Sequence, residues 1–202
     1  ANRVYVITRL NELLALDAND GHTLWNHTGS DESARMLTSS SVAVQGETVV
    51  VPYSSGEVYA LRVENGRPAW NNTLTRTGSV TALTAINDIA GRPVIDRDIV
   101  IAANHSGNLT AMNFVNGEVV WSRDIASIQT PLIAGDFVYI VSTEGQIVCL
   151  LRRDGRVKWT AQLPAYGNPD DKEDPIVWNG PVLVSNRLLL VSSDGRAVTL
   201  SP

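Results

Sequence analysis

The chain has 202 residues, of which 44% are hydrophobic and 18% charged, and a formal net charge of −5. That balance is ordinary for a globular protein and excludes a disordered tail. The negative charge leaves no basic stripe, which speaks against nucleic acid as a partner, and the longest apolar runs, such as Leu188 to Val191, are strand-length, not membrane-spanning.

In chain order, residues 3–8 (Arg-Val-Tyr-Val-Ile-Thr) predict a strand. It leads into Ala15-Leu16-Asp17, a turn at Asp20-Gly21, and Trp25. The same unit returns as Ala60-Leu61-Arg62, Asn65-Gly66 and Trp70, and again as Ala111-Met112-Asn113, Asn116-Gly117 and Trp121. A further copy is Cys149-Leu150-Leu151, Asp154-Gly155 and Trp159. In every copy the tryptophan stands four residues after the glycine. Asn-Gly and Asp-Gly between apolar runs are the strongest short hairpin signal, and they predict a two-residue type I′ turn with φ > 0 at both central residues.

Each complete copy also carries two earlier strands. In the second these are Ser39 to Val44 and Thr48 to Pro52, ahead of Val58-Tyr59-Ala60-Leu61. Gly91 to Ile95 and Ile99 to Ile101 open the third, and Thr130 to Ile133 and Val138 to Val141 the fourth. A last copy has Gly180 to Val184, Leu188 to Val191 and Ala197 to Leu200. A second register supports the count: Gly56, Gly107, Gly145 and Gly195 each precede a leucine or methionine by five residues, and Asn11 takes that place before Leu16. Short antiparallel strands in groups of four at this period are the signature of a β-propeller blade.

The expected fold is therefore all-β: one propeller segment over 1–202, with blades near 1–28 (partial), 38–75, 90–125, 129–163 and 179–202 (partial). Strand numbers of three, four, four, four and three amount to about half of an eight-bladed propeller. Blades at the ends of such an arc leave a packing face uncovered, so a longer parent chain or association with another chain is expected. The first residue is Ala1, which leaves room for a removed targeting segment.

No catalytic constellation emerges. The repeated tryptophans read as wedges between sheets, Trp178 as packing under its own loop, and the acidic run Asp170 to Asp174 as a solvated loop. The lone Cys149 falls where other copies have alanine and reads as a small buried side chain. His22, His27 and His105 lack a second ligand at metal spacing, and there is no dinucleotide or phosphate-loop motif. No cofactor, metal or catalytic residue is expected. Asn26, Asn71, Asn104 and Asn108 begin Asn-x-Ser/Thr triplets.

The unit Ala-Leu-Asp-Ala-x-Asp-Gly-x-x-Leu-Trp at Ala15 to Trp25 resembles the pyrroloquinoline-quinone-type propeller repeat. Within that superfamily, Asn87-Asp88-Ile89-Ala90-Gly91-Arg92-Pro93-Val94-Ile95 followed by Gly107-Asn108-Leu109-Thr110-Ala111 resembles the BamB family of outer-membrane assembly lipoproteins. Gln129-Thr130-Pro131 and Asp170 to Pro175 are similar to its alphaproteobacterial members. The resemblance implies a non-catalytic eight-bladed scaffold on the periplasmic face of the outer membrane, held by an N-terminal lipid whose cysteine this chain lacks. Its implied partner is the set of periplasmic (POTRA) domains of BamA, gripped by two interblade loops. On one loop the resemblance implicates Asn87, Asp88 and Arg92, with Ala90 replacing a second acidic residue; on the other, Arg35, Met36 and Leu37. The alternatives are a quinone-dependent dehydrogenase sharing the repeat, which with Cys149 alone could not form an adjacent-cysteine disulfide, or a ligand-sensing propeller domain.

Overall fold

The structure is a computed structural model and describes residues 2–30, 40–74 and 88–202. Among them every regular element is a strand. Blade 1 has three strands, β1 (Arg3–Ile7), β2 (Glu12–Asp17) and β3 (Thr23–Thr28). Blade 2 has four, β4 (Ala43–Gln45), β5 (Thr48–Pro52), β6 (Glu57–Arg62) and β7 (Pro68–Thr73). Blade 3 comprises β8 (Val94–Asp96), β9 (Ile99–Ala103), β10 (Asn108–Asn113) and β11 (Val119–Asp124). Blade 4 comprises β12 (Leu132–Ala134), β13 (Phe137–Val141), β14 (Gln146–Leu151) and β15 (Val157–Gln162). A two-stranded ribbon, β16 (Tyr166–Asn168) and β17 (Glu173–Pro175), precedes blade 5: β18 (Trp178–Val184), β19 (Arg187–Ser192) and β20 (Ala197–Leu200).

All neighbouring strands are antiparallel meanders, and the first strands β4, β8, β12 and β18 lie beside one another. The sheets therefore radiate from a shared axis with their short first strands inside, which is the propeller arrangement. The strand pattern of three, four, four, four and three is as the sequence predicts. The inner strands are shorter and begin two to four residues later than expected in blades 2 to 4, because residues before them form loop contacts instead of ladder bonds.

Burial explains why the second strands read as continuous apolar runs. All five residues of β9 are buried, because blade 3 has a sheet on each face. By contrast β1, with a neighbour on one face, alternates between half-buried and exposed. Four apolar clusters fill the seams. Leu13, Val49, Val51 and Tyr53 join blades 1 and 2, while Val50, Ala60, Val100 and Met112 join blades 2 and 3. Ile101, Ala111, Val138 and Ile140 join blades 3 and 4, and Tyr139, Cys149, Leu188 and Leu190 join blades 4 and 5. Cys149 is thus a buried seam residue, and burial pushes its thiol pKa up.

The repeated turn departs from the type I′ expectation. Gly21, Gly66, Gly117 and Gly155 have φ between 66° and 77°, but Asp20, Asn65, Asn116 and Asp154 are not among the positive-φ residues. The loop has four residues, closed by the glycine N–H donating to a carbonyl four residues back, as from Gly117 to Asn113 at 2.9 Å. A bulge follows at the same place in all four copies, for example between Ala111 and Met112. The Asn or Asp before the glycine does a different job. Its Oδ1 accepts the backbone N–H two residues on, at 3.0–3.1 Å in each copy.

The glycine itself is a seat for the preceding blade's tryptophan. A Cβ at Gly66 would lie 2.5 Å from the Trp25 ring, one at Gly117 2.6 Å from Trp70, and one at Gly155 2.6 Å from Trp121. Each indole N–H then donates to the carbonyl three residues before that glycine: Trp25 to Val63 (3.0 Å), Trp70 to Phe114 (2.8 Å) and Trp121 to Arg152 (2.8 Å). Arg123 clamps the last of these turns, donating to the carbonyls of Asp154 and Gly155, both at 2.6 Å. Trp178 packs under its own loop as expected, buried with its N–H on the Pro164 carbonyl.

Candidate functional site

The connection from blade 2 to blade 3 ends in Asp88-Ile89-Ala90-Gly91-Arg92-Pro93, and that from blade 3 to blade 4 runs through Ser127 to Pro131. They meet in tight contact. A Cβ at Gly91 would stand 2.3 Å from the Gln129 carbonyl oxygen, so only glycine fits there. The Arg92 N–H donates to Thr130 Oγ1 (3.1 Å), and the Ser40 hydroxyl donates to the Gly91 carbonyl (3.1 Å). Ser127 is fully buried, its hydroxyl donating to the Val141 carbonyl (2.6 Å) and accepting the Gln129 N–H (3.0 Å).

These fixed loops border an open groove of about 400 Å³ at the first-strand end of blades 3, 4 and 5, lined by Arg92, Val94, Gln129, Thr130, Leu132 and Pro181 among others. Arg92 is exposed at its edge. Asp88 is buried, and its carbonyl accepts the His105 N–H at 3.0 Å. The structure thus separates two residues that the sequence places together: Arg92 is exposed to solvent, whereas Asp88 is buried in the loop. Arg35, Met36, Leu37 and Asn87 lie outside the described residues. Gln129, Thr130 and Pro181 were absent from the sequence-predicted set. The Gln-Thr-Pro run was visible there, but nothing local connects it to Arg92.

The connection after blade 1 is pinned at its start. Ser30 donates through its N–H (2.9 Å) and hydroxyl (3.0 Å) to the Glu57 carboxylate, and Asn11 Nδ2 donates to the Ser30 carbonyl (2.8 Å). Burial works to raise the Glu57 pKa, but the hydrogen bonds from Ser30, Ser55 and Tyr59 outweigh it and hold the carboxyl below its usual range. Beside it His27 Nδ1 and the Tyr53 hydroxyl are 2.7 Å apart, with the His27 ring packed on Tyr59. Burial lowers the His27 pKa, with the Glu57 charge opposing the shift.

Among the described residues no three His, Cys, Asp or Glu side chains gather as a metal site. What the geometry offers is a rigid, loop-built rim carrying a cation above an apolar-floored groove.

Radiating antiparallel meanders with an indole-on-glycine lock at the first three of the four seams define a β-propeller of the pyrroloquinoline-quinone repeat type. Residues 1–161 match the family model of the outer membrane protein assembly factor BamB, and the chain belongs to that family. It is 32% identical to an uncharacterised protein of Rickettsia prowazekii over 79% of this chain and 39% of that relative. It is 26% identical to the outer membrane protein assembly factor BamB of Moranella endobia, over 91% of this chain and 45% of the relative. The chain therefore spans less than half the length of these relatives. The crystal structure of BamB from Moraxella catarrhalis superposes with a TM-score of 0.87 at 22% identity, covering 100% of this chain and 58% of that one.

Proposed function

We propose that the chain is part of a non-catalytic scaffold for outer-membrane protein assembly, working at the periplasmic face of the outer membrane. It binds the periplasmic domains of BamA through interblade loops. The observation that carries this reading is the locked pair of loops around Gly91 and Gln129, which holds Arg92 exposed over the groove. Membership of the BamB family of outer membrane protein assembly factors supports the reading. Arg35, Met36, Leu37 and Asn87 belong to the same proposed surface. Asp88, being buried, serves it by holding the loop.

Calorimetric titration of the chain against purified BamA periplasmic domains tests this. Saturable binding that weakens about tenfold or more in Arg92→Glu is expected, as for a partly desolvated charge at an interface. Affinity unchanged by Arg92→Glu would remove the groove from the surface. Absence of binding, together with a quinone absorption band and calcium-dependent dye reduction, would replace the scaffold with the dehydrogenase alternative.

A further inference from the structure

The groove beside Arg92 is one-sided in its charge. Among the described residues that line it Arg92 alone is charged, while Val94, Pro131, Leu132 and Pro181 give it an apolar floor. Pro131 and Pro181 are buried, so that floor is continuous with the packed rim. The Arg92 charge has no counterpart within the chain. Among the described residues Arg97, Arg152, Arg156 and Arg196 each stand within 4.0 Å of an aspartate carboxylate, whereas no carboxylate comes that close to Arg92.

Thr130 adds a directed donor beside it. Its Oγ1 accepts the Arg92 backbone N–H at 3.1 Å, which leaves its own hydroxyl proton to donate elsewhere. Among the described residues no acceptor takes that proton. The two loops are pressed together at Gly91 and Gln129, and the Ser127 hydroxyl holds the Gln129 N–H at 3.0 Å. The roots of the Arg92 and Thr130 side chains therefore keep a fixed spacing, which lowers the cost of ordering them on binding. A planar guanidinium with an O–H next to it is a donor set, and its match is a carboxylate, whose two oxygens accept both. A bare anion would leave the apolar floor in water. A carboxylate side chain flanked by apolar residues covers charge and floor together.

We propose that the groove takes a segment of a partner protein in which an Asp or Glu is flanked by apolar side chains. The carboxylate sits on the Arg92 guanidinium and the Thr130 hydroxyl, and an apolar neighbour lies on Pro131, Leu132 and Pro181. This rests on the reading of the groove as a contact surface and adds the chemistry of what it contacts.

The test is NMR titration of the whole isotope-labelled chain with two end-blocked peptides, acetyl-Leu-Asp-Leu-amide and acetyl-Leu-Asn-Leu-amide, following the Arg92 Nε–H and the Thr130 amide. The Asp peptide is expected to shift both signals saturably and to bind about tenfold more tightly than the Asn peptide. Arg92→Gln should abolish that preference, and Arg92→Lys should keep only part of it, because an ammonium cannot fork to both oxygens. Thr130→Val should weaken the Asp peptide about fivefold, with Thr130→Ser restoring it; if Thr130→Val does not fold, the Arg92 variants decide. Equal binding of the two peptides, or no shift from either, overturns the proposal. So does a saturable shift of these signals by inorganic phosphate or phosphatidylglycerol vesicles where the Asp peptide is silent, which would give the groove to a phosphate headgroup. The peptides contain nothing of BamA, so the two readings fail separately. Preference for the Asp peptide without binding of BamA periplasmic domains would keep the groove chemistry and remove that partner. Arg92-dependent binding of those domains with no preference between peptides would do the reverse.

Discussion

Replacing Gly117 with alanine would test the indole-on-glycine lock directly. The residue sits at φ +75°, and a Cβ there would lie 2.6 Å from Trp70 Cε3 and 2.7 Å from Cδ2. The left-handed backbone costs a non-glycine residue roughly 1–2 kcal/mol. Pushing the ring out of a filled seam adds roughly 1–3 kcal/mol. The displaced indole also loses its 2.8 Å bond to the Phe114 carbonyl, worth about 1 kcal/mol. Together these predict a loss of about 4 kcal/mol. Gly21→Ala and Gly135→Ala are the controls, with φ +77° and +60° and nothing within 4 Å; each should lose only the backbone cost of roughly 1–2 kcal/mol. Urea and thermal unfolding followed by tryptophan fluorescence would read the difference, about 10 °C against about 3–6 °C in Tm. If Gly117→Ala and Gly21→Ala destabilise equally within about 0.5 kcal/mol, the lock contributes nothing and the seam argument fails.

Asn104 is fully buried, donates to the Leu74 carbonyl (2.7 Å) and accepts the amides of Gly107 (3.1 Å) and Asn108 (2.7 Å). Asn104→Ala should cost about 3 kcal/mol in urea unfolding by leaving buried groups unpaired, and in the folded chain Asn104 should resist glycosylation despite its triplet. Arg123→Ala should cost about 2 kcal/mol through its two lost carbonyl contacts, and Arg123→Lys should restore less than half, because an ammonium cannot fork to both oxygens. The blade 1–2 seam should weaken in acid. His27 has a folded pKa below its ordinary 6.5, so the unfolded chain takes up the proton first and stability is lost as pH falls below that value. Glu57, also lowered, adds a loss at lower pH with the same sign. His27→Gln should flatten the part of a stability-against-pH curve just below 6.5, and an unchanged slope there would show that another group is responsible.

The repeat was legible because its chemistry is local. A glycine at positive φ, an Asx oxygen two residues from the amide it accepts, and a tryptophan at fixed spacing all lie within one hairpin. Even Asn11 could be placed in the glycine register, and it does adopt φ +61°. The turn type was misjudged because Asn-Gly suits two-residue and four-residue loops equally; the bulge and the side-chain cap decide between them. The ribbon β16–β17 was unreadable, since Asp170 to Asp174 carries charge where strand periodicity would be sought. At the candidate site Asp88 and Arg92 look equivalent in sequence. Only packing buries the first and exposes the second.

The sequence by itself determined the strands, their grouping into blades and the residues that wedge the seams, because period, turn chemistry and apolar runs act over a few residues. Tertiary structure alone decided which copies of the motif are engaged. Gly21 and Gly117 share turn and backbone, but only Gly117 carries an indole. It likewise brought Gly91 against Gln129 and buried Val51 between blades 1 and 2. The reason is physical: a blade's faces are completed by a neighbouring sheet far along the chain, and no local pattern encodes which neighbour is present.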